Sequence, residues 1–532
     1  MAKVFNVTTV CRPQKHYMVS LDGRLRAMKE LADNGMYFII NKARQYGKTT
    51  ILRALNDYLQ DDYYVVLMDF QTFGSAKFKS ENAFSLSFAS SFIRLMNRNR
   101  GSLPPGLSAR LSGLEKICGA RLSDFELKEL FESLSDICAS SDKPIILMID
   151  EVDSAANNLV FLDFLAQLRA YYIDWDHGPA FQSVILAGVY DIKNLARKIR
   201  PDEDHKVNST WNVAADFHIN MSFSAAEIAG MLCEYEADYH TGMDTETIAE
   251  QIYYHTSGYP FLVSRLCQLL DETVSMRLGS KSEAWSSYGI IEACRILTTE
   301  NNTLFESMIG KITNYPELKH LLERKVFNGQ TVSYTATNEI IRMGTMFGII
   351  KNVDNAVAPA NRIFARVLAD YFLSMDELKE TEIYKASIRE KHQFVTGGRL
   401  DMRAVMERFI VHFTELYGNR GERFIEEEGR KYFLLYLRPI INGSGYYSME
   451  AVTGSGTRTD VIVYYYEELF IIETKIWHGP KRNEDARNQL MGNMDSYCQK
   501  TGYLLTFSFN KTKMQGIKEV RIGDKLLIEA VV

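Results

Sequence analysis

Two groups of residues in this chain combine types and spacings that can do chemistry. In NKARQYGKTT (residues 41–50) a glycine, a lysine and two threonines follow an apolar run and open a helical pattern. Such a loop turns successive backbone N–H groups toward an anion, and the helix dipole adds its positive end. In G-x-x-x-x-G-K-[ST] the lysine reaches the β- and γ-phosphates and the hydroxyl binds magnesium. Gly47, Lys48 and Thr49 fit this pattern, whereas Lys42 stands where the first glycine belongs. Arg44, Gln45, Tyr46 and Thr50 complete the candidate loop. A partner lies in KPIILMIDEVD (143–153), an apolar strand ending in Asp150 and Glu151. The aspartate can hold Mg2+ through water, and the glutamate can polarise an attacking water. Together these residues predict ATP and Mg2+ as cofactors.

The second group lies in TRTDVIVYYYEELFIIETKIW (457–477), which reads as a β-hairpin. Pairing outward from a turn near residues 466–468 sets Asp460 opposite Glu473. Glu473 and Lys475 are two apart, so both project from one face. Facing carboxylates repel unless a cation lies between them. Mg2+ held there can activate water and stabilise charge during phosphodiester cleavage. The alternative is an edge hairpin with polar ends, but Glu473 lies inside an apolar strand, where a surface carboxylate is unusual.

The elements that must position these groups follow from hydrophobic patterning. Apolar runs at 36–41, 63–70, 144–150, 183–188 and 217–222 alternate with helical patterns, one of which places Ile51, Leu55, Tyr58 and Leu59 on a single face. Near-continuous apolar strands alternating with helices predict a parallel sheet covered on both faces. One strand lies in sequence between the loop strand and the acidic strand, and two follow, as in the additional-strand class of P-loop ATPases. From about 223 to 300 the patterns are helical, and residues 301–375 mix helices with a hairpin in a winged-helix-like order. A charged stretch at 376–395 reads as a connecting helix or linker, and 396–532 as a separate α+β unit. The expected organisation is α/β multidomain: residues 1–222, 223–300, 301–375, 376–395 and 396–532.

A chain of 532 residues exceeds one core, and 46% hydrophobic with 24% charged residues is an ordinary globular composition. A net charge of −6 argues against a uniformly basic nucleic-acid packager, but leaves room for one locally basic groove. The seven cysteines show no metal or disulfide spacing, which predicts reduced thiols and a cytoplasmic protein. No apolar run approaches a membrane span, and no signal-peptide core opens the chain.

The segments YFIINKARQYGKTT, IDEVD, VILAGVYDIKNL, NVAADFHINMSFSAAEI and HTSGYPFLVSRLC resemble the AAA-ATPase-like domain of a bacterial family. That family is related to archaeal and STAND-type ATPases, and its ATPase is fused to a PD-(D/E)XK nuclease-like domain. The resemblance covers nearly the whole chain. It implies that Gly258 and Pro260 belong to a nucleotide-sensing turn, that Asp191 sits at a sensor-like position, and that Asp460 and Glu473 bind metal while Lys475 positions or activates water. It also implies a metal-binding helix glutamate before the hairpin. Among Glu426, Glu427 and Glu428, Glu426 shares a face with Phe433 and Leu437, although a solvated, dipole-stabilised helix start explains these glutamates as well. Gln489 matches a Q-x-x-x-Y element, but Asn493 replaces its tyrosine and Tyr497 lies one turn later. Arg197 and Arg200 are arginine-finger candidates, and Arg458, Lys481 and Arg482 are candidates for meeting a nucleic-acid backbone.

The function expected is an ATP-binding and ATP-hydrolysing protein controlling a Mg2+-dependent nuclease. Nucleic acid, DNA in preference to RNA, would be its partner, with a homo-oligomer formed through the ATPase domain. The alternative is a nucleotide-driven switch or scaffold whose C-terminal domain binds nucleic acid or protein without cutting. Transcriptional regulation through residues 301–375 is a third reading, resting on fold analogy alone.

Overall fold

The computed structural model describes residues 3–98, 103–155, 157–174, 179–189, 213–328, 332–418, 422–449, 461–476, 480–508 and 515–532. The chain forms two compact units, 1–223 and 224–532.

In the first unit the strands β1 (Phe38–Asn41), β2 (Tyr64–Asp69), β3 (Ile145–Asp150) and β4 (Ser183–Gly188) pair in parallel, in the order β1-β4-β3-β2. The strand lying in sequence between the loop strand and the acidic strand is β2, whereas β4 is the one that pairs between β1 and β3 in the sheet. Successive strand residues face opposite sides, as a pleat requires. Phe38, Ile40, Val65, Ile146, Met148 and Ile185 pack under the helices α1 (Asp22–Asp33) and α2 (Lys48–Leu59). Ile39, Val66, Leu147, Ile149 and Leu186 pack against α3 (Glu81–Met96), α4 (Pro105–Ala120), α5 (Leu127–Ala139) and α6 (Leu159–Ile173). Phenylalanines on that second side, among them Phe84, Phe88 and Phe164, meet in tilted and edge-on pairs 5.0–6.0 Å apart.

The strand expected at 217–222 does not form. One parallel bridge, Phe38 to Ala215, extends the sheet beside β1. Beyond it Arg24 takes the carbonyls of Asn220 and Ser222 at 2.8 and 2.9 Å, so an arginine rather than a neighbouring strand satisfies that backbone.

The second unit opens with α7 (Ala225–Tyr239), α8 (Thr245–Thr256), α9 (Pro260–Gln268) and α10 (Ser287–Thr299). After α9 the helix continues through a π-helical segment, Leu269–Val274, into one further turn. Then come α11 (Thr303–Asn314), α12 (Pro316–Asn328), α13 (Glu339–Met346) and the hairpin β5 (Ile350–Val353) with β6 (Ala356–Pro359). Asp354 and Asn355 turn that hairpin with φ of 49° and 62°, the left-handed pair its twist favours.

Next, α14 (Arg362–Leu373) carries Arg362, Arg366 and Asp370 at four-residue spacing, hence on one face. The charged stretch expected as a linker contains α15 (Glu382–Glu390), whose Ile383, Ala386 and Ser387 are buried. At its end Glu390 accepts from Arg408, His412 and Tyr436, and Arg408 first, then His412, hold its pKa down at about 2.

The two-residue strands β7 (Val395–Thr396) and β8 (Arg399–Leu400) precede α16 (Met402–Tyr417) and α17 (Glu422–Ile441). A mixed sheet closes the chain: β9 (Gly445–Met449), β10 (Val461–Tyr465), β11 (Glu468–Ile476), β12 (Thr501–Phe507), β13 (Gly516–Ile522) and β14 (Lys525–Val531), in the order β13-β14-β12-β11-β10-β9. β9, β10 and β11 form an antiparallel meander. The helix α18 (Pro480–Ser496) then crosses back so that β12 runs parallel to β11.

Candidate functional site

The phosphate loop leaves β1 and reaches α2 through two left-handed residues. Gln45 has φ 57° and Gly47 φ 80°, and Gly47 caps the helix. Glycine reaches that conformation without strain, whereas at Gln45 it is uncommon. Lys48 is buried, and its Nζ donates to the carbonyls of Lys42 and Ala43 at 3.0 Å each. Burial lowers the pKa of its ammonium, while Asp153, Glu151 and Asp150 act in the opposite sense.

Thr49 Oγ1 donates to Asp150 Oδ2 at 2.7 Å. Two expected Mg2+ ligands, from the first turn of α2 and the end of β3, are thus brought together. Both atoms are hard oxygens, the donor type that Mg2+ takes. Asp150 is buried, and its Oδ1 accepts from the backbone N–H of Glu151 at 2.9 Å. Glu151 sits in the left-handed region with φ 54°, a backbone cost of the kind found at functional positions. Burial first, then the Asp150 charge, raises its pKa, and Lys48 opposes the rise.

Of the other expected loop residues, Thr50 Oγ1 accepts from the Cys11 backbone N–H at 3.3 Å. Tyr46 Oη meets Ser222 Oγ at 2.7 Å, and Arg44 is exposed. Two contributors escaped the sequence reading. Asp153 holds the Val189 N–H at 2.7 Å, pinning the segment after β3 to the end of β4. The Cys11 backbone brings the N-terminal segment onto α2. Asp153 was visible as the third acid of IDEVD, but nothing local signals the Cys11 contact.

Gly258 and Pro260 belong to the second unit. Ser257 and Gly258 turn left-handed at φ 48° and 71°, and Pro260 opens α9, where its missing N–H costs nothing. Lys351 Nζ donates to Ser257 Oγ at 2.9 Å, and Tyr259 packs edge-on against Phe364 at 5.3 Å. Asp191, Arg197 and Arg200 lie outside the described residues.

In the C-terminal hairpin the described register ends at Val461 opposite Ile472 around a turn at Tyr466 and Glu467. Asp460 and Arg458 lie outside the described residues. Glu473 is completely buried and Lys475 is 6% exposed. Glu473 pairs in register with Leu504 and Lys475 with Thr506. Ile471 and Leu504, on this same face, pack on Ala486, Leu490 and Met494 of α18. The other face carries Thr474, whose Oγ1 accepts from Arg430 Nε of α17 at 2.8 Å. Helices thus cover both faces, and the carboxylate and ammonium are on the α18 side.

Glu426 lies one turn before Arg430 on α17. Its side chain, like those of Lys481 and Arg482, is outside the described residues. Phe433 and Leu437 are buried, as their shared face requires. Tyr497, just past α18, bonds through Oη to Tyr254 Oη at 2.6 Å. Among the described residues no cluster of three or more His, Cys, Asp or Glu could hold a metal. Nor, among them, is any helix long and apolar enough to cross a membrane.

Comparison with known proteins gives a family and a set of distant structures. The model of a family described as "AAA-like domain" matches residues 10–372, which include the phosphate loop, the acidic strand and everything through α14. No curated protein matches. A Walker-type ATPase of Pyrococcus abyssi is 16% identical, with a TM-score of 0.47, covering 68% of this chain and 99% of its own. The ORC2 protein of Aeropyrum pernix, solved as ADPNP and ADP complexes, is 12% identical with a TM-score of 0.37, covering 70% and 98%. The ORC1 protein of the same organism, solved with DNA, is 12% identical with a TM-score of 0.28, covering 66% and 93%.

Proposed function

The chain belongs to the AAA-like domain family, and we propose that it binds ATP at the loop ending in Gly47–Thr50, hydrolyses it with Glu151, and uses nucleotide state to control a Mg2+-dependent nuclease site built on Asp460, Glu473 and Lys475. The observation that carries the ATPase half is the 2.7 Å contact between Thr49 and Asp150, 101 positions apart in sequence. Lys48, now bonded to two loop carbonyls, would exchange them for phosphate oxygens. Backbone N–H groups at the start of α2 would bind the same anion. Glu151, with its raised carboxyl pKa, has the proton affinity to polarise an attacking water. Mg2+, held by Thr49 and through water by Asp150, would neutralise charge developing on the phosphates. In this reading the turn at Gly258 and Pro260 responds to nucleotide.

The nuclease half rests on Glu473 and Lys475. Burying a carboxylate and an ammonium on one face of a strand costs stability unless the charges are paired or held by a cation. Glu473, together with Asp460 and Glu426, would hold Mg2+, which supplies an activated water and charge neutralisation at a phosphodiester. Lys475 would orient that water. Nucleic acid, DNA before RNA, is the expected substrate. The helices and hairpin of 303–359 follow a winged-helix-like order, and assembly through the ATPase unit is the expected oligomer.

The test is incubation of the full chain with single- and double-stranded DNA and RNA, with and without ATP and Mg2+. Cleavage that Glu473→Ala abolishes is the expected result, and cleavage undiminished by that substitution refutes the nuclease site. For the ATPase, unchanged nucleotide affinity in Lys48→Ala refutes the loop assignment. One observation favours a non-cutting switch: the tyrosine nearest the Q-x-x-x-Y element has its hydroxyl bonded to Tyr254. Binding of nucleic acid without cleavage by the parent chain is the outcome that reading predicts.

A further inference from the structure

Within the second unit, a short series of direct contacts joins the turn at Ser257–Pro260 to the strand carrying Glu473 and Lys475. The turn ends α8, and one helical turn earlier lies Tyr254. The guanidinium of Arg362 stacks 3.6 Å above the Tyr254 ring and donates to the Tyr254 carbonyl at 3.0 Å. The Tyr254 hydroxyl meets the Tyr497 hydroxyl at 2.6 Å. Tyr497 is held to the end of α18, its N–H bonding the Asn493 carbonyl at 3.1 Å. The buried face of α18 lies on the α18 side of β11, where Glu473 and Lys475 are. A displacement of α8 along its axis therefore has a polar handle on α18. Interfaces of this type move between discrete arrangements rather than deforming smoothly.

We propose that Tyr254 and Tyr497 form a coupling contact that transmits nucleotide-dependent movement of the Ser257–Pro260 turn to α18, and so sets the geometry of the Glu473–Lys475 face. The inference rests on the reading that this turn responds to nucleotide and that the C-terminal face is a functional site. Tyr254 and Tyr497 are positioning residues: they act through α18 and touch no reacting atom. The hydroxyl pair is the specific link, because both rings keep their packing when only the oxygens are removed. Arg362 fixes the Tyr254 ring and holds α8 against α14 in either arrangement.

The test uses hydrogen exchange of the full chain, with and without a non-hydrolysable ATP analogue, read on peptides spanning 468–476 and 480–499. In the parent chain the analogue is expected to change exchange in these peptides by at least twofold, and Lys48→Ala to abolish that change. In the double variant Tyr254→Phe and Tyr497→Phe the change falls by half or more, while analogue affinity stays within twofold of the parent. Unaltered exchange in 501–507 and 525–531 shows that the variant retains the sheet. A parent that shows no change in 468–499, or a double variant that responds fully, overturns the coupling. Neither outcome depends on cleavage, so failure of the nuclease reading, seen as activity indifferent to Glu473→Ala, is scored separately.

Discussion

Arg366 offers a quantitative test of how the second unit is built. The residue is 8% exposed, and its guanidinium lies 3.5 Å over the Tyr447 ring. Nε bonds Asp370 Oδ2 at 2.6 Å, and Nη1 donates to the Tyr447 carbonyl at 2.6 Å. These contacts tie α14 to β9, the edge strand of the C-terminal sheet. Arg366→Met keeps most of the volume and removes the charge. The lost bond to the carbonyl is worth about 1.5–3 kcal/mol, as for other charged donors. The desolvated cation–π contact adds ~1–2 kcal/mol. Against this, the cost of holding a cation out of water is recovered. Asp370 is not orphaned, because Arg438 Nε stays at 3.0 Å and Tyr447 Oη at 3.2 Å. The net expectation is a loss of about 2–3 kcal/mol, below the ~3–5 kcal/mol of a buried charge left alone. The assay is urea unfolding followed by hydrogen exchange on peptides covering 362–373 and 445–449, so that the second unit is read apart from the first. Combined with Asp370→Ala, the two losses should fall short of additivity by more than about 1 kcal/mol. A single-variant loss under about 0.5 kcal/mol, or strict additivity, refutes the argument that this buried pair fastens the sheet to α14.

Further predictions concern the nucleotide site, acid stability and close packing. Glu151→Gln should keep ATP binding and lower hydrolysis at least ~100-fold, the scale of a lost general base. Because burial and Asp150 raise the Glu151 pKa, the folded chain holds that proton more tightly than the unfolded chain does. Stability is therefore lost as pH rises through that value, and Glu151→Gln should raise the urea midpoint at neutral pH; a lower midpoint contradicts the assignment. Glu390 has the opposite sign. Its pKa is depressed from 4.5 to about 2, so its contribution is present above pH 4.5 and lost as pH falls toward 2. Glu390→Gln should flatten the fall in stability across that window, and an unchanged acid limb would contradict the geometry around Arg408. At Gly429 a methyl group would lie 2.8 Å from the Phe507 ring. Gly429→Ala should cost about 1–3 kcal/mol by overpacking, read as a lower urea midpoint.

The sequence by itself determined the parts governed by short-range rules. Apolar runs alternating with helical patterns specified the parallel sheet, and the GKT and IDEVD segments marked the ends of β1 and β3 as the candidate nucleotide site. The hairpin turn followed from residue order, since pairing outward from residues 466–468 leads to the register at Val461 and Ile472. What lay beyond the sequence depends on partners distant along the chain. The segment at 217–222 has strand-forming residues, yet its carbonyls go to Arg24, nearly 200 positions earlier. The 376–395 stretch is rich in charge, but α15 within it is buried on the face that meets α17. No local pattern distinguishes Tyr254, Tyr497 or Arg366 from ordinary helix residues. Their roles arise because tertiary structure places an aromatic ring or a hydroxyl from another element within bonding distance. Sequence periodicity reports which face of an element is buried, whereas the atoms that meet there are decided only when elements far apart in the chain pack together.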